Sequence, residues 1–88
     1  MKVAYEATFL RDLKRVRSKK IRCRVQRVID EVKRASVPHE IAGLMKLRGY
    51  ETFYRIRVGD YRIGVEIVGD TVIFVRCLHR RDIYRYFP

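Results

Sequence analysis

Between residues 53 and 78 apolar side chains recur at about every second position, and this alternation constrains the fold more than any other feature of the chain. Three runs carry it: Phe53 to Val58, Tyr61 to Val68 and Thr71 to Leu78. A period of two turns one face of a strand toward a core and the other toward solvent. The connections Gly59-Asp60 and Gly69-Asp70 are each two residues with glycine first, which suits a type II′ hairpin turn. The runs therefore predict three antiparallel strands in a meander.

Upstream the period changes. Lys2 to Glu6 alternates, with Val3 and Tyr5 on one side, as in a short strand. Phe9, Leu10, Leu13 and Val16 follow, then Ile21, Val25, Val28, Ile29 and Val32, a set that keeps to one helical stripe. Ser18 lies between the two groups as an N-cap, which predicts an antiparallel helical hairpin. Pro38 ends the second helix, because proline disfavours helical geometry in the residue before it, and His39 is then a loop residue. The C-terminal HRRDIYRYFP is too polar and too short for a central strand, so it is either a final helical turn or an ordered extension. The expected fold class is α+β: an N-terminal strand and a helical hairpin packed on a small antiparallel sheet, with a short C-terminal helical turn. At 88 residues, a single domain over 1–88 is expected.

Charge then narrows the function. With 21 lysines and arginines against 10 acids, the formal charge is +11, which repels itself and adds nothing to a fold of this size. The expected partners are anionic: RNA, DNA, the ribosome or an acidic protein. No apolar run is long enough to cross a bilayer, and MKVAYEATFL lacks the pattern of a signal peptide, so no membrane role and a cytoplasmic location are expected. Cys23 and Cys77 stand alone, without a CxxC pair or a histidine at ligand spacing, and read as small buried apolar residues. Eleven of the basic residues lie between Arg11 and Arg34, mostly off the apolar stripe. Taken singly each is an ordinary solvated side chain; together, Lys19, Lys20 and Arg24 included, they form a footprint for a polyanion.

The stretch YRIRVGDYRIG concentrates the question. In a two-residue hairpin Arg57 lies opposite Arg62 and Arg55 opposite Gly64, all on one face, with Tyr54, Ile56, Val58, Tyr61, Ile63, Val65 and Ile67 on the other. The helices are the only cover available for the apolar face, so the arginine face should be the open one. Like charges directly opposite each other destabilise a strand pair by up to about 1 kcal/mol, and Arg55 and Arg57 are only roughly 7 Å apart along the strand. A face that merely resists aggregation usually mixes signs and uses lysine. Planar guanidinium forks instead suit a phosphate, and Gly64 leaves room for a backbone to approach. The same register carries Val75, Cys77 and His79 onto the arginine face and Arg76 onto the apolar one, which has no explanation unless Arg76 reaches past the sheet or the second turn is displaced by one residue.

No Ser-His-Asp set, paired carboxylates, P-loop or metal cluster is visible. A basic cleft can cleave RNA with side chains alone: the 2′-hydroxyl attacks the adjacent phosphate, arginines stabilise the growing charge, and one group moves protons. Arginine is poor in that last role because it stays protonated. Histidine is the side chain whose unperturbed pKa, about 6.5, suits proton transfer near neutral pH, so His79 is the obvious proton carrier, against the alternative of a surface histidine at a strand end.

Three stretches in order, KLRG at Lys46 to Gly49, YRIRVGDYRIG, and HRRDIYR at His79 to Arg85, resemble the RelE/ParE superfamily of toxins of toxin-antitoxin pairs. The resemblance spans essentially the whole chain. It implies an acidic antitoxin that wraps the basic surface, the pair often repressing its own promoter DNA. For the RelE branch it implies a ribosome-dependent endoribonuclease, an mRNA interferase that cuts message in the decoding site without metal or cofactor. The branch's site residues fall on Arg55, Arg57, Arg62 and Arg81, with Lys46, Arg48, Arg80 and Arg85 as further RNA or ribosome contacts. Its C-terminal tyrosine falls on Tyr84 by the HRRDIY form, on Phe87 by a gapless reading, or on Tyr86. Arg55 and Arg57 stand where the branch has lysines, which removes a general base and leaves proton transfer to His79 or Lys46. A non-enzymatic ParE-like inhibitor of DNA gyrase is the alternative on the same fold.

Overall fold

The computed structural model describes residues 1–88. Five strands form one sheet: β1 (Lys2–Tyr5), β2 (Leu44–Lys46), β3 (Phe53–Val58), β4 (Tyr61–Val68) and β5 (Thr71–His79). Helices α1 (Ala7–Arg15) and α2 (Lys19–Arg34) separate β1 from the rest, and a short α3 (Ile83–Tyr86) closes the chain. The strand order is β1-β5-β4-β3-β2. The meander β3-β4-β5 is present as expected. It is widened at both edges, by β2 antiparallel to β3 and by β1 parallel to β5, so the sheet is mixed rather than antiparallel throughout.

The helices form where the stripe predicts. Ser18 caps α2, its hydroxyl accepting from the Ile21 N–H at 3.1 Å. Phe9 and Val16 from the α1 segment, and Val25, Ile29 and Val32 from α2, are buried against Ile56, Val58, Ile63, Val65, Val72 and Phe74 of the sheet. Tyr54 and Tyr61 pack at the margin of this core. The turns at Gly59 and Gly69 have φ of +57° and +60°, and no non-glycine residue has a positive φ, as a type II′ turn requires.

The first hairpin has the predicted register, with Arg57 opposite Arg62 and Arg55 opposite Gly64. The second departs from it halfway along. Val65 pairs with Phe74, but Gly64 pairs with Arg76, so Val75 is an extra residue bulged out of β5. The turn is placed correctly, and the bulge shifts every residue beyond it. Cys77 therefore lies opposite Ile63 in the core, 1% exposed, and His79 lies opposite Tyr61 on the helix side of the sheet. The expectation that Cys77 and His79 share the arginine face is overturned, and Arg76 exchanges sides with them.

The bulge also resolves how β5 ends. β1 pairs only as far as Phe74, leaving the lower half of that edge without a strand. Helix α1 covers it: the Thr8 hydroxyl donates to the Val75 carbonyl at 2.7 Å, and Asp12 Oδ2 accepts from the Cys77 N–H at 3.1 Å. Arg76 completes the arrangement, its Nε donating to Asp12 Oδ2 at 2.7 Å and Nη2 to Oδ1 at 3.2 Å. An open strand edge is a liability, and here a buried ion pair closes it. Cys23 is also corrected: it lies off the apolar stripe of α2 and is exposed.

Candidate functional site

The arginine face is not fully open. After β5 the chain turns back, with the Asp82 N–H donating to the His79 carbonyl at 2.8 Å, and α3 lays the C-terminus over the centre of that face. Ile83 and Phe87, four residues apart and so on one side of the turn, are 2% and 5% exposed. The Phe87 ring stands edge-on to Phe53, with centroids 5.6 Å apart, and fills the space above Gly64. The room left by Gly64 is occupied by the chain's own side chain, not by an incoming backbone.

This cover sorts the sequence-predicted residues into separate groups. Tyr84 projects from α3, 66% exposed, and meets Arg55: the Arg55 Nη1 donates to the Tyr84 hydroxyl, and the guanidinium carbon lies 5.1 Å from the ring centroid. These two residues form one wall of a groove of about 500 Å³ whose other wall is Lys46, Arg48 and Tyr50 from β2 and the loop after it. Three cations and two tyrosines line it, with no acidic side chain among them. Tyr50 was not anticipated from sequence, although an aromatic directly after KLRG was a usable signal. Its ring stands edge-on to Phe53, at 5.6 Å.

Arg57 and Arg62 lie at the hairpin end of the same sheet face, beyond α3. Arg57 is exposed and also lines a second groove with Arg24 and Arg27 of α2. Arg62 is half-buried and folded back, its Nη1 donating to the carbonyls of Gly59 at 2.8 Å and Tyr61 at 2.9 Å. Partial desolvation, then repulsion from Arg57, Arg55 and Arg80, lowers the Arg62 pKa from its usual value; only Asp60 opposes this. The positive cluster is thus uncompensated at its centre. Arg80 spends part of its charge on Asp60, at 4.0 Å between largely exposed groups.

His79 and Arg81 sit apart from the Arg55 groove. The His79 Nδ1 accepts from the Arg81 backbone N–H at 3.2 Å, and its ring stands edge-on to Tyr61 at 5.6 Å. Arg81 Nε approaches the same nitrogen at 3.5 Å. Lys19, Lys20 and Arg85 are exposed, the first two at the start of α2 and the third on α3. The structure brings together Arg55, Tyr84, Lys46 and Arg48, and places His79 on the other side of the sheet.

A small mixed sheet with two helices on one face and a basic, aromatic groove on the other places the chain among small toxin folds, and residues 3–84 match the family model of the ParE toxin of type II toxin-antitoxin systems. The chain belongs to that family, within the RelE/ParE superfamily. Among individual relatives it is 47% identical to Toxin RelE3 of Methanocaldococcus jannaschii, over the full length of both. It is 27% identical to Putative toxin RelE1 of the same organism, over 83% of this chain and 81% of that one. Among solved structures, the RelB-RelE antitoxin-toxin complex from Methanococcus jannaschii superposes with a TM-score of 0.81 at 44% identity, covering 97% of this chain and 99% of that one. The archaeal RelE-RelB complex from Pyrococcus horikoshii gives 0.72 at 23% identity, over 90% and 93%, a likeness of fold.

Proposed function

We propose that this toxin is an endoribonuclease that cuts messenger RNA in the decoding site of the ribosome and so stops translation. The observation that carries the reading is the groove in which Lys46, Arg48 and Arg55 face Tyr50 and Tyr84 with no acidic side chain between them. Cations hold a phosphodiester there while tyrosines stack on its bases, and such stacking contributes ~1 to 3 kcal/mol per base. Arg55, with Arg57 and Arg62 beyond it on the same face, holds the scissile phosphate and stabilises the charge that grows when the 2′-hydroxyl attacks. Lys46 lines the groove with Arg55 and is better placed for proton transfer there than His79, which lies across the sheet. Arg81 then serves with His79 as a flanking contact to RNA. Arg80, Arg85, Lys19, Lys20 and Arg24 extend the basic surface toward ribosomal RNA.

An acidic antitoxin is the proposed neutralising partner, since the solved relatives above are RelB-RelE complexes and this chain carries +11. Binding of the pair to promoter DNA belongs to the same proposal, as does residence in the cytoplasm. No helix of the protein is long and apolar enough to cross a membrane. One observation favours a second reading, inhibition of DNA gyrase: the matching family model is that of the ParE toxin.

Primer extension on ribosomes stalled on a defined message separates the two, with Arg55→Ala, Arg62→Ala and Arg81→Ala run alongside. Cuts within the decoding-site codon that vanish in Arg55→Ala and weaken in the others are expected. Intact message together with blocked supercoiling by gyrase would replace this reading with the inhibitor.

A further inference from the structure

At the edge of β5 beyond its pairing with β1, away from the Arg55 groove, α1, the end of β5 and α3 border a second cavity of about 500 Å³, of which the function proposed above uses only His79. Arg11 and Arg15 stand on its α1 wall, one helical turn apart, both exposed and neither in an ion pair. Tyr61 and His79 form an edge-on aromatic pair on the opposite wall, and Tyr86, half exposed, flanks them with the Arg76 guanidinium 5.7 Å above its ring. The histidine ring is oriented by the Arg81 N–H on Nδ1, which leaves Nε2 free.

Two acids line this cavity, and they differ. Asp12 is consumed by Arg76 and the Cys77 N–H. Asp82 has no such partner: its carboxylate caps no helix N–H and forms no ion pair, although Arg80, Arg81 and Arg85 are close in sequence. An acidic peptide would be repelled by a free carboxylate in the cavity wall. A nucleotide keeps its charge on the phosphate, at the Arg11 and Arg15 wall, and can turn a neutral base edge toward the carboxylate, whose oxygens accept from an amino group there.

We propose that this cavity is a nucleotide subsite: Arg11 and Arg15 take the phosphate, Tyr61, His79 and Tyr86 supply aromatic surface for the base, and Asp82 accepts from an amino group on the base edge. The subsite deepens the RNA reading and rests on it only for the source of the nucleotide, either the message flanking the cut or the ribosomal RNA. Both sources present the same chemistry. A base that carries an amino group where another carries a carbonyl is the preferred ligand, so cytosine is favoured over uracil.

The test is a titration of the free protein, without ribosomes, with cytidine 5′-monophosphate, uridine 5′-monophosphate and cytidine, followed by NMR of the aromatic rings. Cytidine monophosphate should shift Tyr61, His79 and Tyr86, in addition to any response of Tyr50 and Tyr84 in the Arg55 groove. Cytidine, without its phosphate, should bind at least tenfold more weakly. Arg11→Glu with Arg15→Glu, two exposed changes remote from the core, should abolish the shifts, and Asp82→Asn should remove the preference for cytosine. Shifts confined to Tyr50 and Tyr84, or an affinity at Tyr61, His79 and Tyr86 unchanged in the double variant, would overturn the subsite, as would no response at millimolar nucleotide. In a second arm, a photocrosslinker at position 15 in the ribosome-bound protein should capture RNA, and whether the adduct is message or ribosomal RNA assigns the source; an adduct with protein alone would overturn the proposal. Protein that cuts message but fails the titration sinks the subsite only, and protein that binds nucleotide but never cuts sinks the endoribonuclease reading only.

Discussion

The ring of Phe87 lies against Gly64 so closely that a Cβ at that glycine would sit 2.7 Å from three ring carbons. Gly64 has no positive φ, so the constraint is the neighbour and not the backbone. Gly64→Ala therefore acts on the C-terminal segment. Either the tail lifts off, giving up the burial of a phenylalanine at about 1.5 to 3 kcal/mol, or the sheet strains by a similar amount. Denaturant unfolding should register that loss, and limited proteolysis should cut after residue 80 in the variant before it does in the parent. Phe87→Ala in the same assay should match it, and the two changes together should cost little more than one, because they break a single contact. Additive costs would mean that Gly64 matters for another reason.

Asp12 is the buried acid on which the edge of β5 depends. It is 3% exposed and serves both the Arg76 guanidinium and the Cys77 N–H. Removing one partner of a buried pair leaves the other uncompensated, at about 3 to 5 kcal/mol, although the guanidinium retains some access to water and the lower end applies. Asp12→Ala should then cost about 3 kcal/mol in equilibrium unfolding, and Asp12→Asn less, since it keeps an acceptor for Cys77. Equal costs for the two would show that the charge, not the acceptor, holds this edge.

Register was legible in the sequence wherever turn length dictated it. The two-residue turn at Gly59-Asp60 fixed Arg57 opposite Arg62. The bulge at Val75 was not legible directly, because Phe74 and Val75 are both apolar and a one-residue slip between them leaves the pattern intact. Its trace was Arg76, a charge falling on an apolar face in the unbulged register. The short edge strands depend on long-range pairing, and three or four residues carry too little pattern to announce it. The cover over the arginine face was within reach: Ile83 and Phe87 are spaced four apart, and the sheet carries a glycine where the ring lands. Separation of His79 from the Arg55 groove follows wholly from the bulge, so the candidate site inherited the register error in β5.

The two cysteines should behave as opposites. Burial, and then the neighbouring Asp12, pushes the Cys77 thiol pKa up to about 12, while Cys23 is exposed on α2. A thiol reagent at pH 8 should label one cysteine in the native protein, and peptide mapping should find it at Cys23. Stability carries the same signature. The Cys77 pKa is raised above the ordinary value of 9.0, so the buried neutral thiol contributes fully below pH 9 and its contribution is lost as pH rises from 9 toward about 12. Cys77→Ala is destabilised by the missing volume, yet its unfolding free energy should fall less steeply above pH 9. Parallel alkaline slopes in parent and variant would refute the assignment.

The uncompensated arginine face has a consequence for binding strength. Arg55, Arg57 and Arg62 share a sheet face whose nearest acid, Glu66, is occupied by the Thr52 hydroxyl at 3.1 Å. If these side chains meet phosphates, binding releases condensed counterions, and the logarithm of affinity falls linearly with the logarithm of salt by about 0.7 per phosphate on a single strand. The toxin should bind a short single-stranded RNA with a steep slope, and Arg55→Ala or Arg57→Ala should each flatten it by about 0.7. Arg62→Ala should flatten it less, because that guanidinium already donates to two hairpin carbonyls. Tyr84→Ala separates charge from stacking: affinity should drop about tenfold or more through the lost base contact, at an unchanged slope. A slope near zero in the parent protein would remove phosphate from the site altogether and leave the arginines as a surface for an acidic protein.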